Sequence, residues 1–143
     1  MDNLKDKLDH FGRGVVNHFR DSNYTSYLEV KKEYTQTPLP EYIRSMPPGL
    51  HEELKSERIN TAKFFQSLSK EQAVFLDHWM LEQIDQITFN IMNVLDESRV
   101  DDSGLVVSVH GTDVTELPLI GNGNMSGEYL DWIERFSKYK RTF

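Results

Sequence analysis

From Glu71 to Ser98 the chain runs twenty-eight residues without a glycine or a proline, and no other stretch limits the fold so strongly. Ser69-Lys70-Glu71-Gln72 precedes and opens it as a capping box. The serine hydroxyl is placed to accept from the N3 amide, and Gln72 reaches back to the cap. Leu68 at N′ is set to staple against Ala73 at N4. Ala73, Leu76, Met80, Ile84, Ile87, Ile91 and Leu95 recur at three- and four-residue spacing, and Phe75, Trp79, Phe89 and Met92 widen the stripe. This pattern predicts a helix over about 70–98 at the centre of the molecule, its apolar face touching two or more elements.

Charge falls unevenly around that helix. Residues 71–134 hold thirteen Asp or Glu against one basic residue, Arg99, a local net of −12 within an overall −7. The first sixty residues hold ten acids and nine bases, and Lys138, Lys140 and Arg141 follow near the end. A field of that sign attracts cations or a basic protein and disfavours nucleic acid, whose phosphates need clustered Lys and Arg. Lys31-Lys32 makes no such cluster, because Glu29 and Glu33 flank it.

The other elements follow from spacing and punctuation. Leu4, Leu8, Phe11, Val15, Val16 and Phe19 predict a helix over about 3–20, stopped by Asp21-Ser22-Asn23. Gly12 and Gly14 weaken it or let another backbone come close. Residues 24–35 suit either helix or extended chain. Pro40 fits the first turn of a short helix over about 41–46, which Pro47-Pro48-Gly49 ends. A further helix spans about 50–68. After Asp101-Asp102-Ser103-Gly104 the β-branched run Leu105–Val109, the turn residues His110–Asp113 and Val114–Leu119 predict a hairpin over about 105–119. A last helix covers about 126–139, with Ser126 as its cap. The expected architecture is therefore α+β: a predominantly helical single domain, 1–143, with a small hairpin in the C-terminal half.

There is no cysteine, which excludes disulfides, thiol nucleophiles and Cys-based metal sites. The charged start lacks the apolar run of a signal peptide, and no stretch approaches the eighteen apolar residues of a membrane span. A cytoplasmic protein without membrane association is expected.

Motifs for chemistry are sparse. His78, Glu82 and Asp85, at i, i+4 and i+7, share one side of the long helix with Asp77 beside them. They lack the His-Glu-x-x-His spacing of zinc proteases and the Glu-x-x-His pairs of dimetal bundles. No metal, cofactor or catalytic residue is assigned, and the triad is the nearest thing to a metal site. The acids around the hairpin do not spell a calcium loop. The Gly121–Gly127 segment matches no phosphate fingerprint and reads as a flexible connection. The functional expectation is a small acidic intracellular protein-binding module, concretely an immunity- or antitoxin-like inhibitor of a basic partner. Its contact residues would be Asp77, Glu82, Asp85, Asp101, Asp102, Asp113 and Glu116, with Tyr24, Tyr27 and Tyr34 as anchors. The alternatives are an acid–base or metal enzyme on the His78/Glu82/Asp85 face, and a structural or regulatory homo-oligomer joined through surplus apolar width of the long helix.

Overall fold

A computed structural model describes residues 3–101, 107–117, 119 and 123–141. The fold is mostly helical with one small hairpin, as the periodicity predicts. By its contacts the chain divides into two compact units. One combines residues 1–23 with 82–143, and the other holds residues 24–81.

In the first unit α1 (Leu4–Gly14) starts at Asn3, whose side chain accepts from the Lys5 amide at 3.2 Å. The chain does not stop at Asp21-Ser22-Asn23. It passes through a π-helical segment, Val15–Asp21, directly into α2 (Ser22–Thr35). The predicted stop fails because the Asp21 carboxylate is turned inward and bonded to Ser137 and the Lys138 amide rather than capping a helix end. The wider π turn brings two consecutive polar side chains, Arg20 and Asp21, into the interior together.

The long helix α5 (Lys70–Asp101) crosses from the second unit into the first. Its start is the predicted capping box: the Gln72 amide donates to Ser69 Oγ at 3.2 Å, and the Ser69 amide donates to Gln72 Oε1 at 2.8 Å. Within the first unit its inward face is Asp85, Thr88, Met92 and Leu95. That face lies about one residue, roughly 100° of helix rotation, from the predicted line through Ile84, Ile87 and Ile91. Ile87 and Ile91 are exposed.

The hairpin is short. β1 (Ser108–Val109) and β2 (Thr112–Asp113) pair antiparallel, Ser108 opposite Asp113 and Val109 opposite Thr112. Val114–Glu116 forms a 3-10 turn instead of continuing the predicted strand, because Val114 and Leu117 are drawn fully into the core. The expected strand residues 105–106, residue 118 and the loop positions 120–122 lie outside the described residues.

α6 (Met125–Phe136) is capped differently from expectation. Asn124, not Ser126, accepts from the Gly127 amide at 2.6 Å. Asp96 of α5 lays its carboxylate across the same end, accepting from the Met125 amide at 2.6 Å and from Ser126 Oγ at 3.1 Å. An anion there also meets the positive end of the helix dipole. Tyr129, Trp132 and Ile133 point inward, while Arg135 forks onto Asp9 of α1 at 2.6 and 2.8 Å. That fork holds the Asp9 carboxyl below its ordinary value.

The second unit takes the rest: most of α2, α3 (Leu39–Ser45), α4 (Glu52–Ser67) and the first turns of α5. Residues 24–35, ambiguous by pattern, are helical. Tyrosines build much of this unit's interior. Tyr34 stacks on Phe65 and tilts against Tyr42, with ring centroids 6.2 and 5.7 Å apart. Gln66 donates to the carbonyls of Tyr34 and Thr37, both at 2.8 Å, tying α4 to the loop after α2.

Gly12 permits the closest approach in the first unit, and to a side chain rather than a backbone. A Cβ at position 12 would overlap the fully buried indole ring of Trp132, whereas one at Gly14 meets open space. The same substitution two residues apart should therefore act in opposite directions. In urea denaturation, Gly12→Ala is expected to cost about 1–3 kcal/mol by overpacking, and Gly14→Ala to add about 0.5–1 kcal/mol by restricting the unfolded chain. Equal shifts in the two midpoints would contradict the packing of α1 on α6.

Candidate functional site

The densest polar cluster surrounds Arg20, whose side chain is fully buried in the first unit. Its Nε donates to Asp85 Oδ1 at 2.5 Å and Nη2 to Asp85 Oδ2 at 3.1 Å, the bidentate fork that suits a guanidinium to a carboxylate. Nη1 donates to Asp21 at 3.1 Å, to Ser137 Oγ at 2.7 Å and to the Tyr139 carbonyl at 2.6 Å. Burial alone would lower the Arg20 pKa, but the bond and charge of Asp85 outweigh it and the net shift is upward. Arg20 is therefore charged at every relevant pH.

Asp85 is saturated. Besides the fork it accepts from the Tyr129 hydroxyl at 2.8 Å, and Arg141 stands 3.6 Å from its second oxygen. Asp21 accepts from Ser137 Oγ at 2.6 Å and from the Lys138 amide at 2.9 Å. Two carboxylates meet two guanidiniums, so the cluster is neutral as a whole. It pins the π segment, α5, α6 and the C-terminal residues together. Above it opens a cavity of about 380 Å³ lined by Glu82, Gln83, Gln86, Phe89, Leu130 and Arg141, with Asp85 and Tyr129 at its wall. Oδ1 of Asp85 takes two hydrogen bonds and Oδ2 one, so a role as general base or metal ligand would compete with Arg20 and Tyr129.

The predicted site residues occupy different environments. His78 and Glu82 are exposed, whereas Asp85 on the same side of the helix is buried. Among the described residues no group of three or more His, Asp or Glu is arranged to hold a metal ion. Asp77 is occupied in the second unit, accepting from Lys31 at 2.7 Å on both oxygens and from the Tyr27 hydroxyl at 2.8 Å. Asp113 is half-buried in β2, and Glu116 is exposed in the 3-10 turn. Asp102 lies outside the described residues, as does the side chain of Asp101. Tyr24 is buried and stacked on Tyr27, while Tyr27 and Tyr34 are half-buried in the interior of the second unit. Asp96 and Asp131 also spend their charge internally, on the start of α6 and on Arg135. Glu71, Glu82, Glu97, Glu116 and Glu134 are the carboxylates of 71–134 that are exposed and take no part in an ion pair within the chain among the described residues.

Sequence reasoning missed Arg20 and Ser137, since an arginine between Phe19 and Asp21 reads as a solvated helix position. It also placed Ile87, Ile91, Phe75 and Trp79 on the inward stripe, and these are exposed, as are Val94 and Phe64, which it had not assigned. In the first unit Ile87, Ile91 and Val94 form an i, i+4, i+7 line on α5, with 55, 43 and 47 % of their surface accessible. In the second unit Phe64, Phe75 and Trp79 are exposed, and Phe64 and Phe75 border an apolar groove of about 430 Å³ with Leu68, Glu71, Gln72 and Leu76. No helix among the described residues is long and apolar enough to cross a membrane.

Burial, and then the neighbouring Asp85 charge, push the Tyr129 phenol far above its ordinary value of 10.0. A raised folded-state pKa contributes stability that is complete below the unfolded value and lost as pH rises toward the folded one. In a 295 nm titration the ionisation removed by Tyr129→Phe is expected to arrive only with alkaline unfolding. Ionisation of Tyr129 near pH 10 in folded protein would contradict the closed cluster.

No protein-family model, curated protein or solved structure matches this chain.

Proposed function

We propose that this chain is a protein-binding module whose contact surface is the exposed α5 line Ile87, Ile91 and Val94, and whose partner is a protein presenting apolar and basic side chains together. The exposure of three aliphatic side chains in one helical line carries this reading. Completing their burial against a partner is worth about 1 kcal/mol for each half-exposed side chain. Contiguous exposed apolar patches mark interaction sites more often than scattered ones do.

Charge supplies the partner's chemistry. From Glu82 to Glu97 there is no Lys, Arg or His, and the two end carboxylates are exposed while Asp85 and Asp96 are engaged internally. Apolar contact holds the partner, and the net negative charge of the segment steers it. Pairing this face with a second copy brings together two helix segments of net negative charge, so a basic partner is favoured over a homo-oligomer. We place the module in the cytoplasm, in keeping with a chain free of cysteine. In its narrowest form it is an immunity- or antitoxin-like inhibitor whose carboxylates occupy the basic surface of a toxin. An enzyme on the His78/Glu82/Asp85 face is the less favoured reading, because both Asp85 oxygens already accept from Arg20.

The test is capture from native lysate on the immobilised protein, run beside the double variant Ile87→Ser/Ile91→Ser. Both positions are exposed, so the variant should fold with its melting temperature within about 2 °C of the parent. The expected result is a basic protein retained at about 100 mM salt, released at about 500 mM, and absent from the variant. Identical capture by both proteins, or capture of acidic proteins only, would refute the reading. Light scattering that shows a dimer of the parent, dissolved by the same substitutions, would assign the line to self-association instead.

A further inference from the structure

His10 on α1 and His110 in the hairpin turn are a hundred positions apart in the chain, yet their rings stand with centroids 4.7 Å apart and planes tilted by 55°. Both are exposed, and they border a shallow cavity of about 460 Å³ beside Phe11, Val15 and Ser108. The turn between β1 and β2 consists of His110 and Gly111, and both have positive φ, 47° and 77°. Two-residue turns of that handedness ordinarily take Asn-Gly or Gly-Gly. A histidine there accepts a left-handed backbone that asparagine would adopt more readily, and in return an imidazole stands over α1. Lys7, one turn before His10, fixes the turn in place by donating to Thr112 Oγ1 at 2.6 Å and to the His110 carbonyl at 3.4 Å.

We propose that His10 and His110 form a two-imidazole site for a divalent transition ion, Cu²⁺ or Zn²⁺, clamping the hairpin turn to α1. The spacing fits. With metal–nitrogen bonds of about 2.1 Å the ion stands about 3.2 Å from each ring centroid, and nitrogen–metal–nitrogen angles between square and tetrahedral set the centroids about 4.5–5.2 Å apart. Solvent exposure leaves the remaining positions to water, so the ion is exchangeable rather than locked in. The Lys7 ammonium beside the turn disfavours an ion held by charge alone. The site therefore selects ions bound through imidazole lone pairs and passes over Mg²⁺ and Ca²⁺.

The experiment is calorimetric titration of tag-free protein with CuCl₂, ZnCl₂ and MgCl₂ at neutral pH, with melting temperatures read in parallel. The expected result is one Cu²⁺ or Zn²⁺ per chain, copper the tighter of the two, no binding of magnesium, and a rise in melting temperature of about 5 °C at a hundredfold excess over the dissociation constant. His10→Gln and His110→Asn should each weaken binding at least about tenfold. Asn suits the left-handed turn, so the metal-free His110→Asn protein should melt no lower than the parent. Absence of 1:1 binding, binding that survives both substitutions, or loss in only one of the two variants would overturn the site.

Discussion

The buried fork between Arg20 and Asp85 organises the first unit. A guanidinium with no solvent contact is tolerable only when its donors are met, and here Asp85, Asp21, Ser137 and the Tyr139 carbonyl meet them. Several otherwise odd features follow. The helix widens to a π turn where Arg20 and Asp21 must both face inward. The inward face of α5 runs through Asp85 and Thr88 rather than through its isoleucines. The residues after α6 fold back because Asp21 and Arg20 hold their amide, hydroxyl and carbonyl groups.

The same arrangement answers how so acidic a stretch folds. Its carboxylates are spent singly: one on a buried guanidinium, one on a helix end, one on Lys31 and one on Arg135. Each sits next to a positive charge or a cluster of amides, so local repulsion is replaced by local attraction. What remains outside is a sparser negative surface beside exposed aliphatic side chains. Binding is therefore proposed through apolar contact with charge as guide, in place of carboxylates with tyrosine anchors.

Where local rules decide structure, the sequence was a sound guide. The Ser69/Gln72 box, Pro40 in a first turn, the hairpin turn at His110-Gly111 and the helix from residue 70 onward all rest on interactions within a few residues. Where a distant partner decides, local reasoning went astray. Asp21 looked like a helix stop because Ser137 and Lys138 are 116 and 117 positions away. Ser126 looked like a cap because Asp96 approaches from another helix. The α5 isoleucines looked buried because a stripe on a helix with so broad an apolar arc does not say which part of the arc meets the core. Tyr24, Tyr27 and Tyr34 were expected as interface anchors; Tyr24 is buried, and Tyr27 and Tyr34 are half-buried, each against another ring. The candidate contact line thus emerged from the three-dimensional arrangement, although all three of its residues fall on a helix the periodicity had located.

A double-mutant cycle on Arg20→Met and Asp85→Leu, followed by urea denaturation at neutral pH, tests the central role of the fork most directly. Each single change strands a buried charge and is expected to cost about 3–5 kcal/mol, whereas the double change removes the pair, leaves Asp21 on Ser137 and the Lys138 amide, and should recover part of that loss. Two single effects each below about 1 kcal/mol that simply add in the double variant would show that the fold does not depend on this pair.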